Sequence, residues 1–248
     1  MALSAVLVAF LLLNNRTTLD MGPWGVVVVL LIGAAFGFLS SLVHLFGKIP
    51  SFLVSYGISN IGMGLALFAY KGYPGNVADE GFRQLGLGTV MGAPIISWIA
   101  IGVFLVALFI QQYTAFGRHI FAIGQNEPVA RTSGINVNRT IILAFVFCGV
   151  CVALAGVFGT ALLGRGEANI GKFKAFPAIT AVVVGGTPLS GGRGGILNSL
   201  VGALIITLLQ MGMVFYGVSA NIQTGIQGLI ILVAVILSIT RDKRFIVK

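Results

Sequence analysis

The chain has 248 residues, of which 57% are hydrophobic and 8% charged, with a mean hydropathy of +1.04 and a formal net charge of +9. An ordinary soluble domain carries about 25% charged residues, so a soluble fold is excluded and the excess apolar surface has to face lipid. The same apolar content excludes disorder. The positive charge sits in the connections with no basic stripe interleaved with aromatics, which leaves no case for nucleic acid as a partner.

In chain order, Met1–Leu13 is apolar without a basic n-region, which makes it a poor signal peptide. It is also short of the ~20 residues that a full membrane span needs. It is expected to be the remainder of a helix, followed by an Asn14–Asp20 turn. Met21–Phe46 and Ser51–Tyr70 are long uncharged runs, separated by Gly47-Lys48-Ile49-Pro50. Gly33-x-x-x-Gly37 in the first of them has the spacing of close-packed membrane helices. A polar stretch, 71–92, holds Asp79, Glu80 and Arg83. Ala93–Ile110 is apolar, and Gln111–Arg139 is the longest polar connection. Thr140–Leu163 is apolar, 164–174 polar, Ala175–Gly186 apolar but short, and Thr187–Gly195 a glycine-rich turn. Ile196–Phe215 and Val218–Thr240 complete the apolar runs before a basic tail, Arg241–Lys248. The pattern predicts an all-α integral membrane protein, a polytopic helical bundle forming one domain over 1–248.

Lys/Arg bias orients the loops. Arg118, Arg131 and Arg139 place the 111–139 connection in the cytoplasm, together with the tail. An even number of crossings must lie between them, but only three long runs do. The segment around 175–186 is therefore expected to cross with its flanks, leaving Arg193 inside and the 164–174 and 71–92 loops outside.

The long runs contain no Asp, Glu, Lys or Arg. Ion-coupled carriers place ionisable groups inside the membrane to carry the ion, so uphill transport here would draw its energy from another protein. The chain has no ATPase of its own. Gly186–Arg193 has the outline of a phosphate loop, but Gly192 and Arg193 stand where the lysine and the Ser/Thr are required. It reads as a tight turn. His44, near a helix end, reads as interfacial. Cys148 and Cys151 lie in an apolar run without a neighbouring His or Cys partner, which reads as packing rather than metal or redox chemistry. No metal or cofactor site is expected.

Neutral polar residues do enter the runs: Ser55, Ser59, Asn60, Gln210, Asn221, Gln223 and Gln227. Gln223 and Gln227 are four apart and share a helix face. Asn60, Gln210, Gln223 and Gln227 are candidate translocation-path residues, since amides can bond sugar hydroxyls. They can equally bond neighbouring helices, at about 0.6 kcal/mol each.

Within 111–139, Asn126 can cap a short helix, with Glu127 and Pro128 in its first turn. Arg131 is placed for an i,i+4 pair with Glu127, and Gly134 for the left-handed position that ends the helix. Such an element is either an ordinary cytoplasmic turn or a docking element for a soluble partner.

Gly117-Arg118-His119-Ile120-Phe121-Ala122-Ile123-Gly124-Gln125-Asn126-Glu127, continuing to Val137, resembles the cytoplasmic coupling segment of ribose- and xylose-type ABC permeases. Val184-Gly185-Gly186-Thr187-Pro188-Leu189-Ser190-Gly191-Gly192-Arg193-Gly194 resembles a second signature of that family. The resemblance implies the permease subunit of a binding-protein-dependent monosaccharide importer in the bacterial inner membrane. It implies pairing with a second permease subunit, alike or different. Cytoplasmic ABC ATP-binding subunits would hold Asn126, Glu127, Ala130, Arg131, Ser133 and Gly134. A periplasmic sugar-binding protein would meet the outer loops. ATP hydrolysis is implied in a partner chain, not here. Family members carry additional N-terminal helices and a Gly-Ile-Asp-Leu-Ser-Val-Gly type motif, so an N-terminally short bundle is expected. The alternatives are a stand-alone facilitator or ion-coupled carrier, or a remnant that inserts without transporting.

Overall fold

The computed structural model describes residues 1–12, 23–70, 75–77, 79–171, 174–188, 191–219, 222–230, 232–234 and 236. The Asn14–Asp20 turn, Asn221 and the basic tail lie outside them.

Ten helices and four two-residue strands are labelled in chain order: α1 (Ala2–Leu11), α2 (Pro23–Gly47), α3 (Ser51–Tyr70), β1 (Gly75–Asn76), α4 (Glu80–Leu87), β2 (Thr89–Val90), β3 (Ala93–Pro94), α5 (Ile95–Tyr113), α6 (Ala115–Gln125), α7 (Glu127–Thr132), α8 (Val137–Leu163), β4 (Arg165–Gly166), α9 (Ala175–Val184) and α10 (Ile196–Phe215). A further apolar helical segment covers Ile222–Ala234. Five of the described helices, α2, α3, α5, α8 and α10, are long and apolar enough to cross a membrane. They show exposed Leu, Ile, Val and Phe along their length, the arrangement of a protein whose solvent is lipid. The expected polytopic all-helical architecture is therefore present.

Two compact units make up the chain: Met1–Val103 with Asn138–Lys172, and Phe104–Val137 with Phe173–Lys248. The short first helix lies at the centre of the first unit. Ala5, Val8 and Ala9 of α1 are fully buried. Val8, Ala9 and Leu12 share a core with Val29, Val77, Phe82, Val157 and Ala161. The buried Thr160 hydroxyl lies 3.2 Å from Ala5 O and 3.1 Å from Gly156 O and donates between them, tying α8 to α1.

Glycine sets how closely the helices approach. A side chain at Gly33 would strike Ala153 and the Gly149 carbonyl, and one at Gly37 the Phe145 carbonyl. Gly149 in turn faces the Gly33 carbonyl. The Gly33-x-x-x-Gly37 spacing is thus the seam between α2 and α8. At the C-terminal end of α2, Lys48 takes a positive φ of 50°. His44 Nδ1 donates to Ile49 O at 2.7 Å, which satisfies a carbonyl just past the helix.

The polar 71–92 stretch contains structure that its composition hides. Asp79 caps α4 by accepting from Gly81 N at 2.9 Å and Phe82 N at 3.4 Å. Phe82 and Gly86 point inward, Gly86 against the Ala161 backbone. β1 pairs antiparallel with β4, Gly75 opposite Gly166. The stretches 75–77 and 164–166 therefore meet within this unit, where Val77 N also donates to Gly164 O at 3.0 Å.

In the second unit, α9 packs on α10 through Gly202 against the Ala181 carbonyl and Gly185 against the Asn198 carbonyl. At ten residues, α9 is about 15 Å long, half of a ~30 Å hydrocarbon core. The expected full crossing at 175–186 does not form as a helix: the described flanks, 167–171 before it and 185–188 and 191–195 after it, are turns and irregular backbone. Gly192 lies against Gly124, so Arg193 is beside the connection whose side it was expected to share.

The seam predicts a sharp contrast. Gly37→Leu should destabilise the protein by about 1–3 kcal/mol through overpacking, read as a lower aggregation temperature in detergent. Gly57→Leu and Gly102→Leu, where no neighbouring atom lies within 4 Å, should leave that temperature unchanged. Equal losses for all three substitutions would show that the seam is not special.

Candidate docking and path residues

The six candidate docking residues come together in one small, fully capped helix. The N-terminal side begins at Thr114, a single non-helical residue between α5 and α6, whose Oγ1 accepts from Gly117 N at 3.3 Å. That cap turns an apparently polar connection into a second helix directly following α5. Asn126 then serves two helices. Its backbone N–H donates to Ala122 O at 3.1 Å, closing α6. Its Oδ1 accepts from Val129 N at 3.2 Å, opening α7.

Glu127 stands in the first turn of α7, where the helix dipole favours an acid. Its Oε1 accepts from Arg131 Nη2 at 2.8 Å and Nε at 3.1 Å. Both side chains are about half exposed, 48% and 52%. An exposed i,i+4 pair of this kind contributes only a few tenths of a kcal/mol. Its chief effect is to hold one acid and one base in a fixed outward pattern.

At the other end, Gly134 N donates to Arg131 O and Ile135 N to Ala130 O, each at 3.1 Å. With Gly134 at φ 81°, this is the Schellman closure that glycine permits at small cost. Ser133 Oγ donates to Val129 O at 2.9 Å. Ala130 is buried and fixes the inner face, while Val129 and its charged neighbours face outward. A rigid helix of two turns showing an acid, a base and one apolar side chain is suited to docking against another protein. The exposed Val129 was not singled out from the sequence, because one valine carries no pattern.

The candidate path residues are more dispersed. Asn60 lies exposed on α3 in the first unit. Gln210, Gln223 and Gln227 are half-buried in the second. The four therefore do not converge within either unit. Gln223 is partly committed, since its Nε2 donates to Val218 O at 2.7 Å. Around Asn60 the structure adds a residue that the sequence pass left out. Tyr56 is exposed, and with Ser55, Ser59 and Asn60 it forms two i,i+4 pairs along one side of α3. Polar groups on membrane helices usually face protein or water rather than lipid.

Cys148 and Cys151 are free, one helical turn apart on α8. No group of three potential metal ligands occurs among the described residues.

Removing the shared cap should loosen α7. Asn126→Ala should cost about 1 kcal/mol and speed amide hydrogen exchange at Val129–Ser133 about fivefold. Unchanged exchange there would show that Asn126 is not the cap that holds the helix.

The chain matches the family model "Branched-chain amino acid transport system / permease component" over residues 1–235. It is 38% identical over 197 residues to the "Probable ABC transporter permease protein YphD" of Escherichia coli (strain K12), covering 79% of this chain and 59% of that protein. To the "Ribose import permease protein RbsC" of the same organism it is 35% identical over 215 residues, 85% of this chain and 67% of the relative. To its "Galactose/methyl galactoside import permease protein MglC" it is 30% identical over 250 residues, 95% and 74% respectively. The chain thus spans between 59% and 74% of the length of these relatives. No solved structure matches the chain. With five helices able to cross a bilayer and a family match over almost its whole length, this is a multi-pass protein of the bacterial inner membrane, and it belongs to the permease-component family of ABC transport systems.

Proposed function

We propose that the chain is the permease subunit of an ATP-driven, binding-protein-dependent monosaccharide importer, with residues 1–248 acting as one transmembrane domain. The observation that carries this reading is α7, a capped helix exposed between two membrane-length helices, within a chain that matches an ABC permease family. A facilitator acting alone has no use for such an element. The long apolar runs hold no Asp, Glu, Lys or Arg to carry a coupling ion, and His44 and Arg139 stand near the ends of α2 and α8, which favours an external source of energy.

On this reading Asn126, Glu127, Arg131, Ser133 and Gly134 form the surface held by a cytoplasmic ATP-binding subunit, and the buried Ala130 fixes the helix beneath that surface. ATP binding and hydrolysis in that partner rock the permease between outward and inward access. A periplasmic sugar-binding protein delivers the substrate to the loops at 71–92 and 164–174, and a second permease subunit completes the path. A monosaccharide is favoured over an amino acid because two of the relatives named above are import permeases for ribose and for galactose. The chemistry agrees. A sugar needs neutral hydrogen-bonding partners and aromatic faces along its way: α3 offers Asn60 and Tyr56 in the first unit, and Gln210, Gln223 and Gln227 offer further amides in the second. A zwitterion needs charged or strongly dipolar partners.

Two measurements test the proposal. Extraction of the chain from its native membrane in mild detergent should recover an ABC ATP-binding subunit in near-equal amount. Glu127→Lys combined with Gly134→Leu should lower that recovery about tenfold, the scale of losing a central interface contact, with membrane insertion unchanged. Undiminished recovery would remove α7 from the interface. In cells, dissipating the ion gradient while ATP is preserved should leave uptake intact, and loss of uptake would favour an ion-coupled carrier.

A further inference from the structure

The glycine loop that follows α9 is joined to α5 and α6, the two helices that precede the docking helix, and it is also the loop that starts α10. The contacts that follow lie within the second unit. On one side, Gly192 packs against Gly124 so tightly that a Cβ on either residue would strike the other's backbone. Gln125 Nε2, one residue before the cap of α7, donates to Gly192 O at 3.3 Å. On the other side, α10 begins at Gly195, which has no side chain to cap it. The missing cap comes from 85 residues away: Gln111 Oε1, on α5, accepts from Ile196 N at 2.7 Å. Thr187 Oγ1 accepts from Gly195 N at 3.3 Å and closes the loop on itself. Gly191, Gly192 and Gly194 have φ of 81°, 77° and 100°, a backbone path that side chains resist.

We propose that Gln111, Gln125 and the Gly191–Gly195 loop form a clasp that makes the α6–α7 joint and the first turn of α10 move as one body. This deepens the proposed function by naming the residues through which a partner pulling on α7 displaces a membrane-length helix that carries Gln210. Several features fit a transmission role better than simple packing. α7 is joined to α6 through a single residue, Asn126, with no slack between them. Gln125 immediately precedes that joint, and the loop it grips at Gly192 reaches α10 four residues later. Gln111 sits where α5 gives way to α6 and holds the start of α10 by the one group that initiates it. A contiguous set of packed backbones and hydrogen bonds is the kind of physical link along which coupling travels. Gln111 and Gln125 are positioning residues in this scheme, since neither is assigned to touch a transported molecule.

The test needs neither a substrate nor a partner. Amide hydrogen exchange is measured on the full chain in lipid nanodiscs, following the peptides that cover 127–134 and 194–201. In the unsubstituted clasp, Asn126→Ala should speed exchange in both, by about threefold in 194–201. In a Gln125→Met background, Asn126→Ala should still speed 127–134 and no longer affect 194–201. Gln111→Met should raise exchange in 194–201 by itself and abolish the response there. Gln111→Glu keeps an acceptor for Ile196 N at a helix start that favours negative charge, so it should preserve the response. If Gln111→Met does not fold, the Gln125→Met and Gln111→Glu results decide the matter alone. An Asn126→Ala effect confined to 127–134 in the unsubstituted clasp would overturn the proposal. So would a distant response that survives Gln125→Met. Either failure leaves the ATP-binding partner to be judged separately by its recovery from native membranes.

Discussion

Backbone-on-backbone contact at glycine is the constraint on which the rest of the molecule depends. Inside a bilayer, apolar side chains gain nothing by leaving lipid for one another, so helices associate by close packing and by the few hydrogen bonds they share. Here the closest approaches fall at glycine: Gly33 and Gly37 against α8, Gly86 against Ala161, Gly185 and Gly202 between α9 and α10, and Gly124 against Gly192. The abundance of glycine, 35 residues in all, has a positional meaning at these sites. The buried Thr160 hydroxyl adds a directional tie between α8 and the central α1. Large apolar residues meanwhile remain on the outside of the long helices, where they meet acyl chains.

Much of this was legible from composition and spacing, and the reason is length. A run of apolar residues long enough to cross a bilayer leaves no competing interpretation, so α2, α3, α5, α8 and α10 were found within a few residues of their ends. The α7 helix was legible for a different reason. Asn126, Glu127, Pro128 and Gly134 each favour one position at a helix end, and together they fit only one register. What escaped was short or amphipathic. α4 and α6 lie in stretches whose overall polarity resembles loop, and each depends on a single capping side chain, Asp79 or Thr114. The burial of α1 could not be inferred, because a ten-residue apolar segment fits a core and a truncated span equally well. The half-length of α9 was hidden by a parity argument that counts crossings but says nothing about how each is built.

The candidate site shows the same limit. Residues that act through local helix chemistry were found, and residues that act through distant contacts were not. Gln111 and Gln125 have partners 85 and 67 positions away, which no local pattern marks. The path residues fall between these cases. Asn60 stood out as an amide in an apolar run, but Tyr56 became apparent only when α3 showed which of its sides is exposed. With no Asp, Glu, Lys or Arg in the long apolar runs, selectivity along the proposed path would rest on the geometry of neutral donors and acceptors, and the driving energy on a partner.

The ten residues of α9 carry a consequence for how the protein is made. A segment about 15 Å long cannot partition into a bilayer by itself as it leaves the ribosome, because its terminal carbonyls would be stranded in hydrocarbon. Its surroundings have to come from α10, whose Gly202 receives the Ala181 carbonyl and whose Asn198 lies over Gly185. α9 therefore gains its packing partner only once the chain has been made through Phe215, and the two helices are expected to enter lipid together as a single hairpin.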